Sequence, residues 1–327
     1  MVLAKNQPGK TIDVRMSYDS EQDLYIVSFE ALGAACSIRF SCFDRNRSIA
    51  FAQSAVKWLA DFETKYSRFR DDSVVSQINR LAGKEWVEID DELVSIFSIC
   101  DDLHFMTDGV LDPTALPLLK LWDYRTRKGL PEEEKIRETL ELVGWKKVER
   151  SSNAVFLPKE GMALDFGGFG KEYAVDKIAA IAVEHGIESC LVDLGRDIHV
   201  LGTPPKFPAW HIALENPEEP GKAWSSLACL GGGIATSGDY RRFFESGGKR
   251  YGHILDPRSG RPVANEVLSV TVIANSCLEA GVLSTTCFIM GQDCGMELIE
   301  NTSGAEGCYV MQNGIYQSKN FHAYVAN

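Results

Sequence analysis

The sequence predicts an α+β fold, with mixed sheets and packed helices. Three observations carry that prediction. Helical and strand-like segments are interspersed without the strict strand–helix–strand alternation that a doubly wound parallel sheet requires. No fixed-period repeat and no low-complexity linker interrupts the chain. At 327 residues, 45% hydrophobic and 24% charged, the chain has an ordinary globular composition and can bury one large core or two modest ones.

Each element follows from local pattern. Residues 1–20 are polar and aperiodic and read as an N-terminal arm, loose or at most a peripheral strand. Residues 21–327 read as the folded domain, a single large unit or two closely packed lobes. Segments 25–29 and 35–40 are partly alternating apolar runs on either side of Gly33, which predicts two strands and a turn. Ile49, Ala52, Val56, Leu59, Phe62 and Tyr66 recur at helical spacing. A second helix over 91–106 puts Leu93, Phe97, Cys100 and Leu103 on one face and stops at Thr107-Asp108-Gly109. Pro113 and Pro117 break the next stretch, and Pro131 followed by three glutamates opens a helix running to about Val143.

Strands are expected at 155–157 and 162–166, then a helix over 171–185 stopped by Gly186. Further strands are expected at 190–194, 199–201, 211–214, 228–230 and 269–273, and helices at 278–290 and 295–300. Asn313-Gly314 marks a closing hairpin.

The formal charge of −12 argues against nucleic acid and anionic membranes as partners, because neither is drawn to an acidic surface. An anionic ligand would need local help from backbone N–H groups, a few Lys or Arg, or a divalent metal. No run of about eighteen apolar residues occurs, and residues 1–20 lack a charged-then-apolar signal pattern, so the expected location is cytoplasmic. Nine scattered cysteines, never spaced Cys-x-x-Cys, read as reduced core residues.

The segment Ala-Leu-Asp-Phe-Gly-Gly-Phe-Gly-Lys-Glu-Tyr-Ala-Val-Asp at 163–176 joins a glycine run to a lysine and a helix. Gly167, Gly168 and Gly170 allow close backbone approach, the following helix offers unpaired N–H groups, and Lys171 adds a full charge. Phosphate binding is one reading and a plain strand-to-helix turn the other; the spacing fits neither Gly-x-Gly-x-x-Gly nor Gly-x4-Gly-Lys-Ser/Thr. A second glycine-rich stretch, 231–240, carries Thr236, Ser237, Asp239 and Tyr240 and leads to Arg241 and Arg242. It too has a bland reading, a bend between strands. In 252–262, His253, Asp256 and Arg258 fall within six positions, which allows an acid–base role for the histidine or a satisfied core ring. The loop 107–114 carries Asp108 and Asp112 and reads equally as a helix stop followed by an Asp-Pro turn. Ser67-Arg-Phe-Arg-Asp-Asp-Ser73, with Ser76 and Asn79 beyond it, is polar and reads blandly as a helix end and a new cap.

Taken in series, these segments resemble the ApbE family of flavin transferases, from about Leu32 to Gly291. The residues that carry the resemblance are Leu32-Gly33-Ala34, Tyr66-Ser-Arg-Phe69 with Ser76 and Asn79, and Asp108 to Thr114. They continue with Gly167 to Asp176, Asp193-Leu-Gly-Arg-Asp197, Thr236 to Tyr240 and His253 to Gly260. The resemblance implies a T-fold-like architecture and a cleft that takes FAD. It implies a divalent cation, usually Mg²⁺, on the diphosphate, and transfer of FMN to a Ser or Thr hydroxyl of an acceptor protein with loss of AMP. His253 and Asp256 then become the candidates for activating that hydroxyl. Lys171, Gly168, Asp176, Thr236, Ser237, Asp239, Tyr240, Arg258 and Asp112 become candidates for holding FAD, with Tyr66 and Tyr240 as stacking groups and Asn79 as a polar contact. Tyr66, Tyr240 and Asn79 also have a core-packing reading.

The pattern breaks at the metal. The family usually supplies an Asp and, four residues later, a Thr; here Thr285 matches the threonine and Gly281 stands where the Asp belongs. Gly170 replaces an alanine whose backbone carbonyl binds the metal, Glu172 replaces a glycine, and Arg196 replaces another. Mg²⁺ accepts as few as one or two protein carboxylates, so a relocated one could serve. Glu279 lies two positions from the loss, on a different side of the helix, which leaves Glu172 as the expected substitute, with Gly170 and Thr285 as the other metal-ligand candidates. The shared-site alternatives are a hydrolase that cuts FAD to FMN and AMP and a non-catalytic FAD-binding protein.

Overall fold

The computed structural model describes residues 12–127 and 129–326. Its centre is a nine-stranded antiparallel sheet whose spatial order follows chain order. The first five strands are β1 (Arg15–Asp19), β2 (Leu24–Ala31), β3 (Ala34–Ser41), β4 (Ser189–Leu194) and β5 (Ile198–Leu201). The remaining four are β6 (Gly231–Gly238), β7 (Val267–Ala274), β8 (Glu306–Met311) and β9 (Gly314–Gln317). Apart from a C-terminal turn of helix at Phe321–Tyr324, the other elements are inserted between neighbouring strands of this meander.

The β3–β4 insertion holds α1 (Arg45–Tyr66), α2 (Val74–Arg80), α3 (Asp91–Met106), α4 (Leu116–Leu121), α5 (Glu133–Leu140) and α6 (Gly170–Glu184). A hairpin of Trp210–Glu215 and Ala223–Cys229 separates β5 from β6. Two small hairpins, Phe243–Ser246 with Lys249–Gly252 and Leu255–Asp256 with Arg261–Pro262, lie between β6 and β7. Between β7 and β8 come α7 (Cys277–Met290) and α8 (Gln292–Asn301).

The period-two rule of strands explains the layering. On β4, Cys190 and Val192 join the core made with α1 and α6, while Leu191 faces the opposite core with Trp210, Ile212 and Leu227 of the inserted hairpin. Both faces of the sheet are therefore covered at its central strands. On β7 all eight residues are buried, as expected for a strand with packing on both sides. α1 begins where the Asp44 side chain accepts the N–H groups of Asn46 (2.8 Å) and Arg47 (3.2 Å), and its apolar stripe of Phe51, Ala52, Ala55, Leu59 and Phe62 packs into the core.

Arg15–Asp19 is an edge strand, in line with the peripheral-strand reading of that stretch, and residues 1–11 of the expected arm lie outside the described residues. Other local expectations change on folding. Residues 162–166 form no strand; the Asn79 side chain and the Pro113 carbonyl satisfy the backbone of Leu164 and Asp165 instead. The stretch 231–238 is a central strand rather than a bend. Its glycines serve packing, since a Cβ at Gly233 would overlap the backbone of Ser276 and Cys277 at the start of α7. All nine cysteines are free, and seven are buried, with only Cys42 and Cys294 partly or fully exposed.

Candidate active site

One cavity of about 1440 Å³ opens between the start of α6, the end of β6, the inserted hairpin and the small hairpins after β6. Its floor is built where α6 begins. Gly168, Gly170, Lys171 and Glu172 line it from there, and Thr236, Ser237 and Tyr240 line it from β6 and the turn that follows. Asp112, Tyr66, His253 and Thr285 complete the set of sequence-predicted residues that reach this space. Lys171, His253 and Thr285, which come from distant parts of the chain, thus share one cavity.

Charge is concentrated at the α6 end. Lys171 makes an ion pair with Asp197, which is 7% exposed at the turn between β4 and β5. Burial alone would lower the lysine pKa, but the charges of Asp197 and Glu172 outweigh it and raise it. Asp197 is raised by burial against the pull of Lys171. The turn that delivers Asp197 uses Gly195 at φ 70° and Arg196 at φ 79°, and the second of these is costly for a side-chain-bearing residue.

Glu172 is 8% exposed, and its Oε2 has no hydrogen-bond partner among the described residues. Burial first, then the Asp197 charge, push its pKa up, against the opposing Lys171. The facing helix makes room for it: a Cβ at Gly281 would lie 2.5 Å from Glu172 Cγ and 2.9 Å from its Oε1. One turn further along α7, the Thr285 hydroxyl meets Ser237 Oγ at 2.8 Å, and Ser237 also meets Ser284 Oγ at 2.9 Å. Thr236 instead pairs with Thr271 on β7 at 2.9 Å.

The glycine run is a less open cradle than its composition suggests. The N–H of Gly167 donates to Asp165 at 3.0 Å, and those of Phe169 and Gly170 donate to the Phe166 carbonyl at 3.1 and 2.6 Å. Asp165 is in turn held by Arg68 at 3.0 Å. Three of the amides in the run are thus spent within the protein, and Lys171 adds its charge where they end.

His253 lines the same cavity from the segment between the two small hairpins. Burial, then the nearby Arg242 charge, lower its pKa to about 4, so the ring is neutral at ordinary pH. Its Nδ1 is buried without a protein partner among the described residues. Asp256 does not pair with it: the carboxylate is gripped by Arg258 at 3.0 Å through both Nε and Nη2 and lies outside the cavity lining, as does Arg258. The Asp-Pro-Arg-Ser turn brings those two side chains together because they are two residues apart.

Three other expected contacts also point elsewhere. Asn79 spends its amide on Leu164, donating to its carbonyl at 2.9 Å and accepting its N–H at 2.6 Å. Asp176 accepts the N–H groups of Cys277 (2.8 Å) and Leu278 (2.9 Å) at the start of α7 and meets His199 Nδ1 at 2.6 Å. Asp239 pairs with Arg250 at 3.1 Å. None of the three lines the cavity. Tyr66 is 4% exposed and donates to Glu92 at 2.7 Å, so its ring packs with Phe62 rather than standing free to stack.

One group at the rim has no signal in the sequence. Glu215 accepts Tyr240 Oη at 2.8 Å, Arg241 Nε at 3.1 Å and Gly221 N–H at 2.7 Å, and pairs with Arg196. Burial would raise its pKa, but the bonds from Arg241, Tyr240, Gly221 and Arg196 overcome this and hold it at about 2. Arg196 and Tyr240 are far apart in the chain and only the hairpin brings Glu215 between them.

A cation site must be judged by donor chemistry. Among the described residues no group of three or more His, Cys, Asp or Glu could hold a metal. Mg²⁺ on a diphosphate needs only one or two protein carboxylates and fills its octahedron with phosphate and water oxygens. The unpartnered Glu172 oxygen and the Thr285 hydroxyl fit that requirement in kind.

Comparison with known proteins agrees with this architecture. The profile of the ApbE family matches residues 32–309. A relative from Vibrio cholerae named FAD:protein FMN transferase is 31% identical over 246 residues, 74% of each chain. One of the same name from Klebsiella pneumoniae is 29% identical over 298 residues, covering 90% of this chain and 91% of its own. Among solved structures, an ApbE protein from Thermotoga maritima superimposes with a TM-score of 0.83 at 31% identity, covering 93% of this chain and all of that one. The flavin transferase ApbE from Vibrio cholerae gives a TM-score of 0.80 at 25% identity, over 95% of this chain and 99% of its own. A profile match across most of the length, joined to the same fold in solved members, places this chain in the ApbE family.

Proposed function

We propose that the protein transfers FMN from FAD to a Ser or Thr hydroxyl of an acceptor protein, releasing AMP. The observation that carries this reading is the convergence of Lys171, Thr285 and His253 on one cavity. A relative that matches over most of this chain is named FAD:protein FMN transferase and a solved member flavin transferase, which supports the transfer of flavin in this reading. A volume of about 1440 Å³ exceeds the usual range for a single small ligand, roughly 300–1,000 Å³, and leaves room for a dinucleotide and a segment of acceptor.

The residues divide the work by position. Lys171, anchored by Asp197, presents positive charge where the diphosphate of FAD would lie. Ser237 holds the Thr285 hydroxyl in place. In the transfer step the acceptor oxygen forms a bond to the FMN phosphorus while the bond from that phosphorus to the bridging oxygen breaks, and AMP leaves with the oxygen. The neutral His253 ring takes the acceptor's hydroxyl proton, a task for which a ring already protonated would be useless. Asp256, paired with Arg258, is assigned in this reading to holding the turn, which leaves the proton to His253. Magnesium, where bound at Glu172 and Thr285, would neutralise charge on the diphosphate.

Incubation with FAD, Mg²⁺ and a Ser- or Thr-bearing acceptor tests the reading. Flavin fluorescence retained on denatured acceptor, with stoichiometric AMP, is the expected result. FMN and AMP without labelled acceptor would indicate hydrolysis, and retained FAD without AMP would indicate a binding protein.

A further inference from the structure

The α6–α7 contact poses a question that the family pattern leaves open: position 281 lacks a carboxylate, and a carboxylate unknown to that pattern sits across from it. Three observations bear on each other here. Gly281 has no side chain, and the space in front of it is filled by Glu172, since an added Cβ would lie 2.5 Å from the Glu172 Cγ. Glu172 is buried, with Oε2 unpartnered among the described residues, although both Lys171 and Asp197 are close enough to shape its charge. Thr285, one helical turn beyond Gly281 on the same side of α7, lines the same cavity as Glu172.

A buried carboxyl oxygen without a partner is expensive, on the order of 1–3 kcal/mol, and persists where something other than protein completes it. Mere cavity filling would have been served by an apolar side chain. We propose that Glu172 delivers from α6 the cation-binding carboxylate that α7 lacks, and that positions 172 and 281 are mutually exclusive: only one of the two can carry it.

The inference rests on the transferase reading for the identity of the site, but its test does not depend on turnover. Mn²⁺ serves as the probe, its binding to the full-length protein measured from the free-ion electron paramagnetic resonance signal, with and without FAD. Glu172→Gln keeps size and hydrogen-bonding shape and should weaken Mn²⁺ binding by at least about tenfold. Gly281→Asp alone should lower the melting temperature, because its side chain meets Glu172. The exchange Glu172→Gly with Gly281→Asp should restore both the melting temperature and the Mn²⁺ affinity to within about threefold of the parent.

Unchanged Mn²⁺ affinity in Glu172→Gln would overturn the proposal, as would a folded double variant that binds no better than Glu172→Gly. Absence of Mn²⁺ binding to the parent protein, with FAD present, would overturn it as well. Failure of the transferase reading looks different: Mn²⁺ binding would follow the exchange as described, yet no acceptor would become flavinylated.

Discussion

At the scale of single residues, the decisive property is the protonation state that burial imposes. The folded-state pKa of His253 is about 4, below the ordinary value of 6.5, so folding holds the ring neutral. The sign follows directly. The stability linked to this group is complete above pH 6.5 and is lost as the pH falls toward 4, because the unfolded chain takes up the proton first. His253→Gln is predicted to flatten this part of the stability profile, by up to about 3 kcal/mol before solvent screening at a part-exposed ring, as read from denaturant titrations across that range. The same variant should cut the transfer rate by about 10²–10⁴-fold, the usual reach of a general base. Arg196 offers an independent check. Its φ of 79° costs roughly 1 kcal/mol relative to glycine, so Arg196→Gly should leave the fold as stable as before or slightly more so, despite losing the ion pair to Glu215. A large fall in melting temperature would mean that this pair stabilises the hairpin far more than an exposed ion pair normally does.

At the scale of elements, the site depends on how closely α7 approaches the sheet. Gly233 lies against the backbone that opens α7, and Asp176 of α6 accepts the first N–H groups of that helix. The two helices and the strand that carry Glu172, Ser237 and Thr285 are thus pinned to one another at the start of α7. Gly233→Ala should destabilise the protein by about 1–3 kcal/mol, the usual cost of overpacking, and should reduce ligand binding along with it. Asp176→Ala removes an N-terminal cap and a histidine partner, so a loss of about 1–2 kcal/mol is expected by thermal or chemical unfolding. Were Asp176→Ala fully stable but unable to bind FAD, the aspartate would belong to the ligand site and not to the helix junction.

At the scale of the whole molecule, an acidic chain has gathered Lys171, Arg196, Arg241 and Arg242 around one cavity. That distribution suits an anionic ligand. FAD at about 100 times its dissociation constant should stabilise the protein by about 2.7 kcal/mol in a thermal shift measurement. Lys171→Met should abolish that gain, and the parent should show it more weakly at high salt if the rim charges contribute. Among the described residues no helix is long and apolar enough to cross a membrane.

Much of the secondary structure was legible because it depends on local spacing: the stripe of Ala52, Val56, Leu59, Phe62 and Tyr66, the Thr107-Asp108-Gly109 stop and the Asn313-Gly314 turn each carry their own signal. The glycines of 231–238 misled for a physical reason. Glycine signals either a bend or a close approach, and only the position of α7 decides between them. His253 and Asp256 likewise look like partners by spacing, yet the turn hands Asp256 to Arg258. By itself the sequence determined the main helices, the family pattern and the missing carboxylate at position 281, since these are matters of which residue stands where. Tertiary structure alone decided that Glu172 fills the space in front of Gly281, that Glu215 gathers the rim arginines and that Asp176 caps α7, because each joins atoms whose separation in the chain carries no record of their distance in space.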